Sequence, residues 1–178
     1  MCVIINHTNN NSLDDEFLIR IYDKNKDGLG VMYAERGKIH VHKIIPKGPE
    51  EVIEFYKEHA DIKDCVIHFR RRTVGEISLA NTHPFYVENG LYYAHNGDMP
   101  FEDSIRSDSK IFAEDFLRPI LKNGNSYLIF DKNWADLLGR IIGSHNKLIF
   151  LNNEGKVTII NEKEGHYVNG AWFSSLEF

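Results

Sequence analysis

Apolar runs of alternating pattern, closed by tight turns and interleaved with a few amphipathic stretches, place this chain in the α+β class. Antiparallel sheets with segregated helices are expected. Three hairpins carry the prediction: Leu29–Glu35 with Lys38–Ile44 around Arg36-Gly37, Phe85–Val87 with Leu91–His95 around Glu88-Asn89-Gly90, and Lys147–Leu151 with Lys156–Ile160 around Asn152-Asn153-Glu154-Gly155. Strands that turn straight back beside their predecessors argue against a doubly wound parallel sheet.

The remaining elements follow in chain order. Cys2 to His7 is a short β-branched run of strand type. Ser12 with Asp15 opens an amphipathic helix carrying Phe17, Leu18 and Ile21, which stops in the breaker-rich Asp23-Lys24-Asn25-Lys26-Asp27-Gly28. After Gly48-Pro49, Val52, Ile53 and Tyr56 recur at helical spacing to about His59, and a strand pattern runs from Asp64 to Arg70. Ser107 caps a helix whose Ile111, Phe112 and Phe116 face inward and which Pro119 stops. Trp134, Leu137, Leu138 and Ile141 mark another helix, and Ala171 to Ser174 a last strand. No repeat, linker or low-complexity segment interrupts the chain, so residues 1–178 are expected to form one domain.

Size and composition fit that picture. The 178 residues, 42% of them apolar and 26% charged, suffice to bury about 70% of the unfolded chain's surface. A net charge of -5 argues against general affinity for nucleic acid. No apolar run approaches the roughly 20 residues of a membrane helix, and the start carries no basic leader, so no membrane partner is expected and the protein is read as cytoplasmic. Two cysteines, Cys2 and Cys65, fit free thiols in a reducing compartment, with Cys65 on the apolar face of its strand beside Ile67 and Phe69.

Several constellations are candidates for chemistry. Asp23 to Gly28 imitates the first half of a calcium loop, but Ala34 stands where the bidentate Glu belongs, which leaves a polar turn. His40 and His42 share one strand face without a third ligand at matching spacing, and are read as two exposed polar positions. Neither a metal nor a cofactor is expected. Cys2 is more unusual: once Met1 is removed, one residue carries a thiol and an α-amine that can take the thiol's proton. Its bland reading is a small hydrophobe opening a buried strand.

His68-Phe69-Arg70-Arg71-Arg72-Thr73-Val74-Gly75 gathers three guanidiniums at a strand end. Alternation would send Arg70 and Arg72 one way and Arg71 the other, and one of them can clasp a carboxylate with two parallel bonds. Asn81-Thr82-His83-Pro84 follows, and then His95-Asn96-Gly97. A side-chain amide beside a glycine N–H supplies the two neutral donors of an oxyanion hole, although Asn-Gly is also an ordinary turn. Ser107-Asp108-Ser109 sets a carboxylate in a first helical turn, to hold a substrate ammonium or simply to start the helix well.

Taken in order, Cys2, His68-x-Arg70 with Thr73 and Gly75, Asn81-x-His83-Pro84, His95-Asn96-Gly97 and Ser107-Asp108-Ser109 resemble the class II glutamine amidotransferase domain of the N-terminal-nucleophile hydrolases. Asn25-x-Asp27-Gly28-x-Gly30 is similar to that family's approach to its second strand. The resemblance spans Cys2 to about Leu117 and implies a four-layer αββα sandwich. It implies hydrolysis of glutamine, or of a related γ-glutamyl amide, to the acid and ammonia.

By motif, Cys2 is the nucleophile and its own amine the base. Arg70 binds the α-carboxylate and Asp108 the α-ammonium, Asn96 and Gly97 hold the oxyanion, and Thr73 and His83 join the substrate-binding set. The chain departs from the family with Val3 after the nucleophile, which narrows the approach to the thiol, with bulky Arg72, and with Lys110 where an acid is usual. With the length used up by this domain, ammonia is expected to go either to a separate synthetase subunit or free into solution. The reading of another class is a catalytically silent binding or structural protein that keeps the fold.

Overall fold

β-Branched and aromatic residues at two-residue spacing become ten strands, all paired antiparallel, in a computed structural model that describes residues 2–61 and 63–178. β1 (Val3–His7), β2 (Leu29–Glu35), β3 (Lys38–Ile44), β4 (Cys65–Phe69), β9 (His166–Val168) and β10 (Ala171–Phe173) form one sheet in the order β3-β2-β4-β1-β10-β9. β5 (Phe85–Glu88), β6 (Leu91–Asn96), β7 (Lys147–Asn152) and β8 (Val157–Ile160) form the other, in chain order.

Strand alternation then dictates the layers. Val3 and Ile5 of β1 point outward into a core shared with Leu18, Ile21, Val52, Phe55 and Tyr56 of α1 (Asp15–Lys24) and α2 (Pro49–His59). Ile4, between them, points the other way and meets Met32, Val66, Ala94, Ile149 and Trp172 in the seam between the sheets. On the far side of the second sheet, Tyr93, Leu148 and Phe150 pack against Phe112, Leu117, Leu138 and Ile142. Those four belong to the segment α3 (Asp108–Ile111), π-helical Phe112–Leu117 and α4 (Arg118–Leu121), and to α5 (Lys132–Ile142). Helix, sheet, sheet, helix is the αββα sandwich expected. Trp172 and Ile4 are wholly buried, so truncating either to Ala costs about 2–5 kcal/mol.

Several boundaries differ from the sequence reading. α1 is capped by Asp14, which accepts the Phe17 N–H at 2.7 Å, and it runs through Lys24 to a cap at Asn25. The Ser12 hydroxyl is turned instead to the Asp61 carboxylate. Pro119 does not end its helix: it falls in the first turn after the widened π segment, where its missing N–H is not needed, and helix continues to Leu121. α5 buries Leu138, Gly139 and Ile142, whereas Leu137 and Ile141 are exposed.

His40 and His42 are half-buried rather than exposed, because His40 stacks on Tyr33 and His42 lies 3.8 Å from His59, ring on ring. In the segment resembling a calcium loop, Asp27 Oδ2 accepts the Arg72 N–H and Asp23 faces Lys26 at 3.6 Å. Among the described residues no group of three or more His, Cys, Asp or Glu is placed to hold a metal ion, and no helix is long and apolar enough to cross a membrane.

Candidate active site

The register of β1 with β4 builds the site. Val3 faces Phe69 and His7 faces Cys65, so one further step past Val3 sets Cys2 beside Arg70 at the end of the paired strands. There the half-buried thiol lies against the Arg71 backbone, donating to its carbonyl and accepting its N–H, each at 3.3 Å. Burial pushes the thiol's pKa up, and the Arg71 N–H pulls it partly back. The resting group is therefore a thiol, and attack needs a base. Met1, whose removal would free the α-amine, lies outside the described residues.

Arg70 leaves the strand after Phe69, so alternation does not continue to its neighbours. Arg71 and Arg72 are both exposed, whereas Arg70 is buried. Its Nη1 donates to Glu76 O at 2.9 Å and its Nη2 to Val74 O at 3.2 Å, which leaves three of five N–H donors unengaged by these contacts. Asn81 braces the same loop. Its Nδ2 donates to Glu76 O and Ile105 O, and its Oδ1 accepts the Ser107 N–H at 2.9 Å, tying the Arg70 loop to the start of α3.

Ser107 caps α3 by accepting the Lys110 N–H at 3.2 Å, and Asp108 follows, almost fully buried. Asp108 Oδ2 accepts the Met99 N–H at 2.8 Å, so the carboxylate is anchored two residues beyond Gly97. Its Oδ1 lies 3.3 Å from Ser109 Oγ. The Asp108 carboxylate pushes the Cys2 pKa up and the Arg70 guanidinium pushes it down, so the thiol lies within the fields of both charges.

A buried chain of polar groups sets how Asp108 presents itself. Asn146 Nδ2 donates to Ile142 O at 2.6 Å, so its Oδ1 is the acceptor facing His95 Nε2 at 2.9 Å. His95 therefore carries its proton on Nε2 and accepts at Nδ1 from Ser109 O–H at 2.8 Å. Burial keeps this imidazole neutral by drawing its pKa down. One hydroxyl proton cannot serve two acceptors, so with Ser109 committed to His95 the Asp108 Oδ1 lone pairs stay open to a cation.

Asn96 ends β6, and Gly97 follows at φ 147°, where a Cβ would stand 2.2 Å from Asn146 Oδ1. Only glycine lets the chain pass there. Asn96 Nδ2 lies 2.9 Å from Ser174 Oγ, and Ser174 Oγ accepts the Ile4 N–H at 2.8 Å. Asn96 Oδ1 is buried without a hydrogen-bond partner.

His83 and Thr73 complete the expected set. His83 lies in the packed seam between the sheets, its ring 3.9 Å from His68 and 4.5 Å from Phe85, and both of its nitrogens lack partners. It reaches that depth because Gly30 leaves room for the His83 carbonyl, which a Cβ would meet at 1.8 Å. His83 is thus held between His68 and Phe85 and is 3% exposed. Thr73 is exposed on the loop after Arg70. Val3 turns its side chain into the helix-side core.

Ser174, Asn146 and the hydroxyl of Ser109 were not singled out for roles in the sequence. The first two reach the site only through the pairing of β10 with β1 and the loop after α5. Three surface hollows of about 500–950 Å³ include none of Cys2, Arg70, Asn96 or Asp108 among their lining residues.

The family described as glutamine amidotransferases class-II matches residues 18–121. No curated protein matches the chain in sequence. Among solved structures, the glutamine phosphoribosylpyrophosphate amidotransferase from B. subtilis, complexed with ADP and GMP, superposes with a TM-score of 0.53 at 13% identity. The match covers 97% of this chain and 40% of that one, so this chain spans about two-fifths of its length. A glutamine aminotransferase class-II domain protein from Silicibacter pomeroyi gives 0.47 at 12% identity, covering 97% and 87% of the two chains. A predicted glutamine amidotransferase from Pseudomonas aeruginosa PA01 gives 0.43 at 18%, covering 85% and 65%. The first of these carries the likeness of fold.

Proposed function

The chain belongs to the class-II glutamine amidotransferases, and we propose that it hydrolyses the side-chain amide of glutamine through a thioester on Cys2. The observation that carries this reading is the gathering of a thiol, a buried arginine, a buried carboxylate and an Asn-Gly pair at one end of the seam between the sheets. On this reading Met1 is removed, and residues 1–178 act as one glutaminase unit.

The chemistry then runs as acyl transfer. Arg70 takes the α-carboxylate and Asp108 the α-ammonium, which leaves the side-chain amide pointing at sulfur. The α-amine of Cys2 accepts the thiol proton, and the thiolate adds to the amide carbon. The carbonyl's electrons move onto oxygen, held by the Asn96 amide and the Gly97 N–H. The C–N bond breaks as the protonated α-amine returns its proton, and ammonia leaves. Water, deprotonated by the same amine, adds to the γ-glutamyl thioester. Collapse of that adduct expels sulfur, which regains its proton, and glutamate departs.

The raised thiol pKa supports the need for a base, and the open lone pairs on Asp108 Oδ1 suit an ammonium. Ammonia goes on to an acceptor enzyme on a separate chain or is released free; steady release by the isolated chain favours the second. The test is glutamine-dependent ammonia production together with the intact mass of natively expressed protein. A chain lacking one methionine that releases ammonia, and whose Cys2→Ala variant does not, is the expected result. Full retention of Met1 with no ammonia leaves a silent binding protein of the same fold.

A further inference from the structure

The loose end at this site is the Asn96 amide. Its oxygen is buried with no donor, although buried polar atoms are almost always paired. Ser174 Oγ lies beside the same amide and already accepts the Ile4 N–H at 2.8 Å, while its backbone N–H donates to Ile4 O at 2.9 Å. With Asn96 Nδ2 donating at 2.9 Å, the serine oxygen takes two donors, and no acceptor among the described residues faces its own proton.

Because oxygen and nitrogen are nearly alike in size, turning the amide by 180° gives its oxygen a donor and the serine proton an acceptor in the same space, and leaves the nitrogen as the unpaired end. Ser174 O–H then donates to Asn96 Oδ1, and Nδ2, carrying two protons, takes the place of the orphaned oxygen. Ile4 N–H, Ser174 O–H and Asn96 form a single directed chain that starts two residues from Cys2.

We propose that Ser174 is a positioning residue that sets which end of the Asn96 amide faces the substrate. As acceptor for Ile4 N–H it has its proton left to give, and giving it to Asn96 Oδ1 presents Nδ2 as the oxyanion donor. This deepens the glutaminase reading and rests on it. It also gives the last strand a part in the chemistry, although Ser174 lies outside the matched residues 18–121.

Steady-state glutamine hydrolysis by Ser174→Ala, Ser174→Thr, Asn96→Ala and the Ser174→Ala/Asn96→Ala pair tests it. Ser174→Ala is expected to lower kcat about 10- to 30-fold with KM unchanged, a fraction of the ~10²- to 10³-fold lost with the donor itself, because the oxyanion forms only in the transition state. Ser174→Thr, which keeps the hydroxyl, restores kcat to within about 3-fold, and Ser174→Ala adds no further loss once Asn96 is Ala. A wild-type kcat in Ser174→Ala beside a damaged Asn96→Ala overturns the inference and spares the glutaminase reading. So does a Ser174→Ala loss that multiplies undiminished in the double variant. A wild-type kcat in Asn96→Ala removes the oxyanion role and this inference together. Neutron diffraction of the unreacted protein decides independently of turnover: a deuteron on Ser174 Oγ aimed at Asn96 Oδ1 is expected, and Nδ2 against Ser174 overturns it.

Discussion

β1 and β4 carry a cysteine at each end of their shared register, and the two ends are built on opposite plans. At the Cys65 end the thiol, His7 and Tyr56 all have partners, the thiol lying 3.8 Å from Ala60 O. His7 donates from Nδ1 to Lys63 O at 2.9 Å and accepts at Nε2 from Tyr56 O–H at 3.0 Å, while Tyr56 also accepts the Leu13 N–H at 2.8 Å. Burial drives the Cys65 thiol far up in pKa and leaves it 3% exposed, so it behaves as a small hydrophobe. At the Cys2 end the thiol is half-open, and the Asn96 amide, linked through Ser174 to Ile4, two residues from Cys2, has one end without a partner. An unpaired amide end beside a thiol is what the proposed glutamine site requires, since buried polar groups are otherwise almost always paired.

The largest test of that contrast is chemical. Cys2→Ala should lower glutamine hydrolysis by ~10⁴-fold or more, whereas Cys65→Ala should leave kcat within about 2-fold, both read as ammonia release. Next, Asn96→Ala should cost ~10²- to 10³-fold in kcat with KM nearly unchanged. Gly97→Ala should lose most activity and also destabilise the fold by about 1–3 kcal/mol in urea titration, since its Cβ meets Asn146 and its φ is unsuited to alanine.

The two ends also part in acid. Burial holds His68 down to about 3, His83 well below the ordinary histidine range, and His95 lower than usual. The unfolded chain, titrating near 6.5, thus binds more protons than the fold. Stability should be complete above about pH 6.5 and fall as pH drops toward 3, by at most ~1.4 kcal/mol per pH unit for each imidazole. Urea midpoints measured across that window should show the slope, and His83→Leu should make it shallower. At the other end, Tyr56→Phe strands the His7 ring nitrogen and the Leu13 N–H, and should cost about 1–3 kcal/mol while leaving kcat alone.

Much of this was legible in the chain itself, for reasons that differ by residue. The hairpins showed because Arg36-Gly37 and the other turns are local signals, and both Arg36 and Gly37 indeed adopt positive φ. Cys2, Arg70, Asn96, Gly97 and Asp108 drew notice because their order matches a family pattern, and the roles given to them are those proposed above. Ser174 and Asn146 did not, because a lone serine after a strand and a lone asparagine after a helix carry no local signature, and their roles exist only once distant strands pair. The exposure of Leu137 and Ile141 was hidden as well, since helical spacing reveals an apolar stripe but not which part of it a sheet covers. β9 escaped because three exposed residues give too short an alternation to register.

Treating freshly purified, natively expressed protein with a glutamine-like electrophile and mapping the adduct by mass spectrometry puts the two thiols in direct competition. Modification at sulfur of a chain that begins with Cys2, suppressed by added glutamine, is the predicted result. An adduct on Cys65, or no adduct on a protein whose first residue is still Met1, contradicts it.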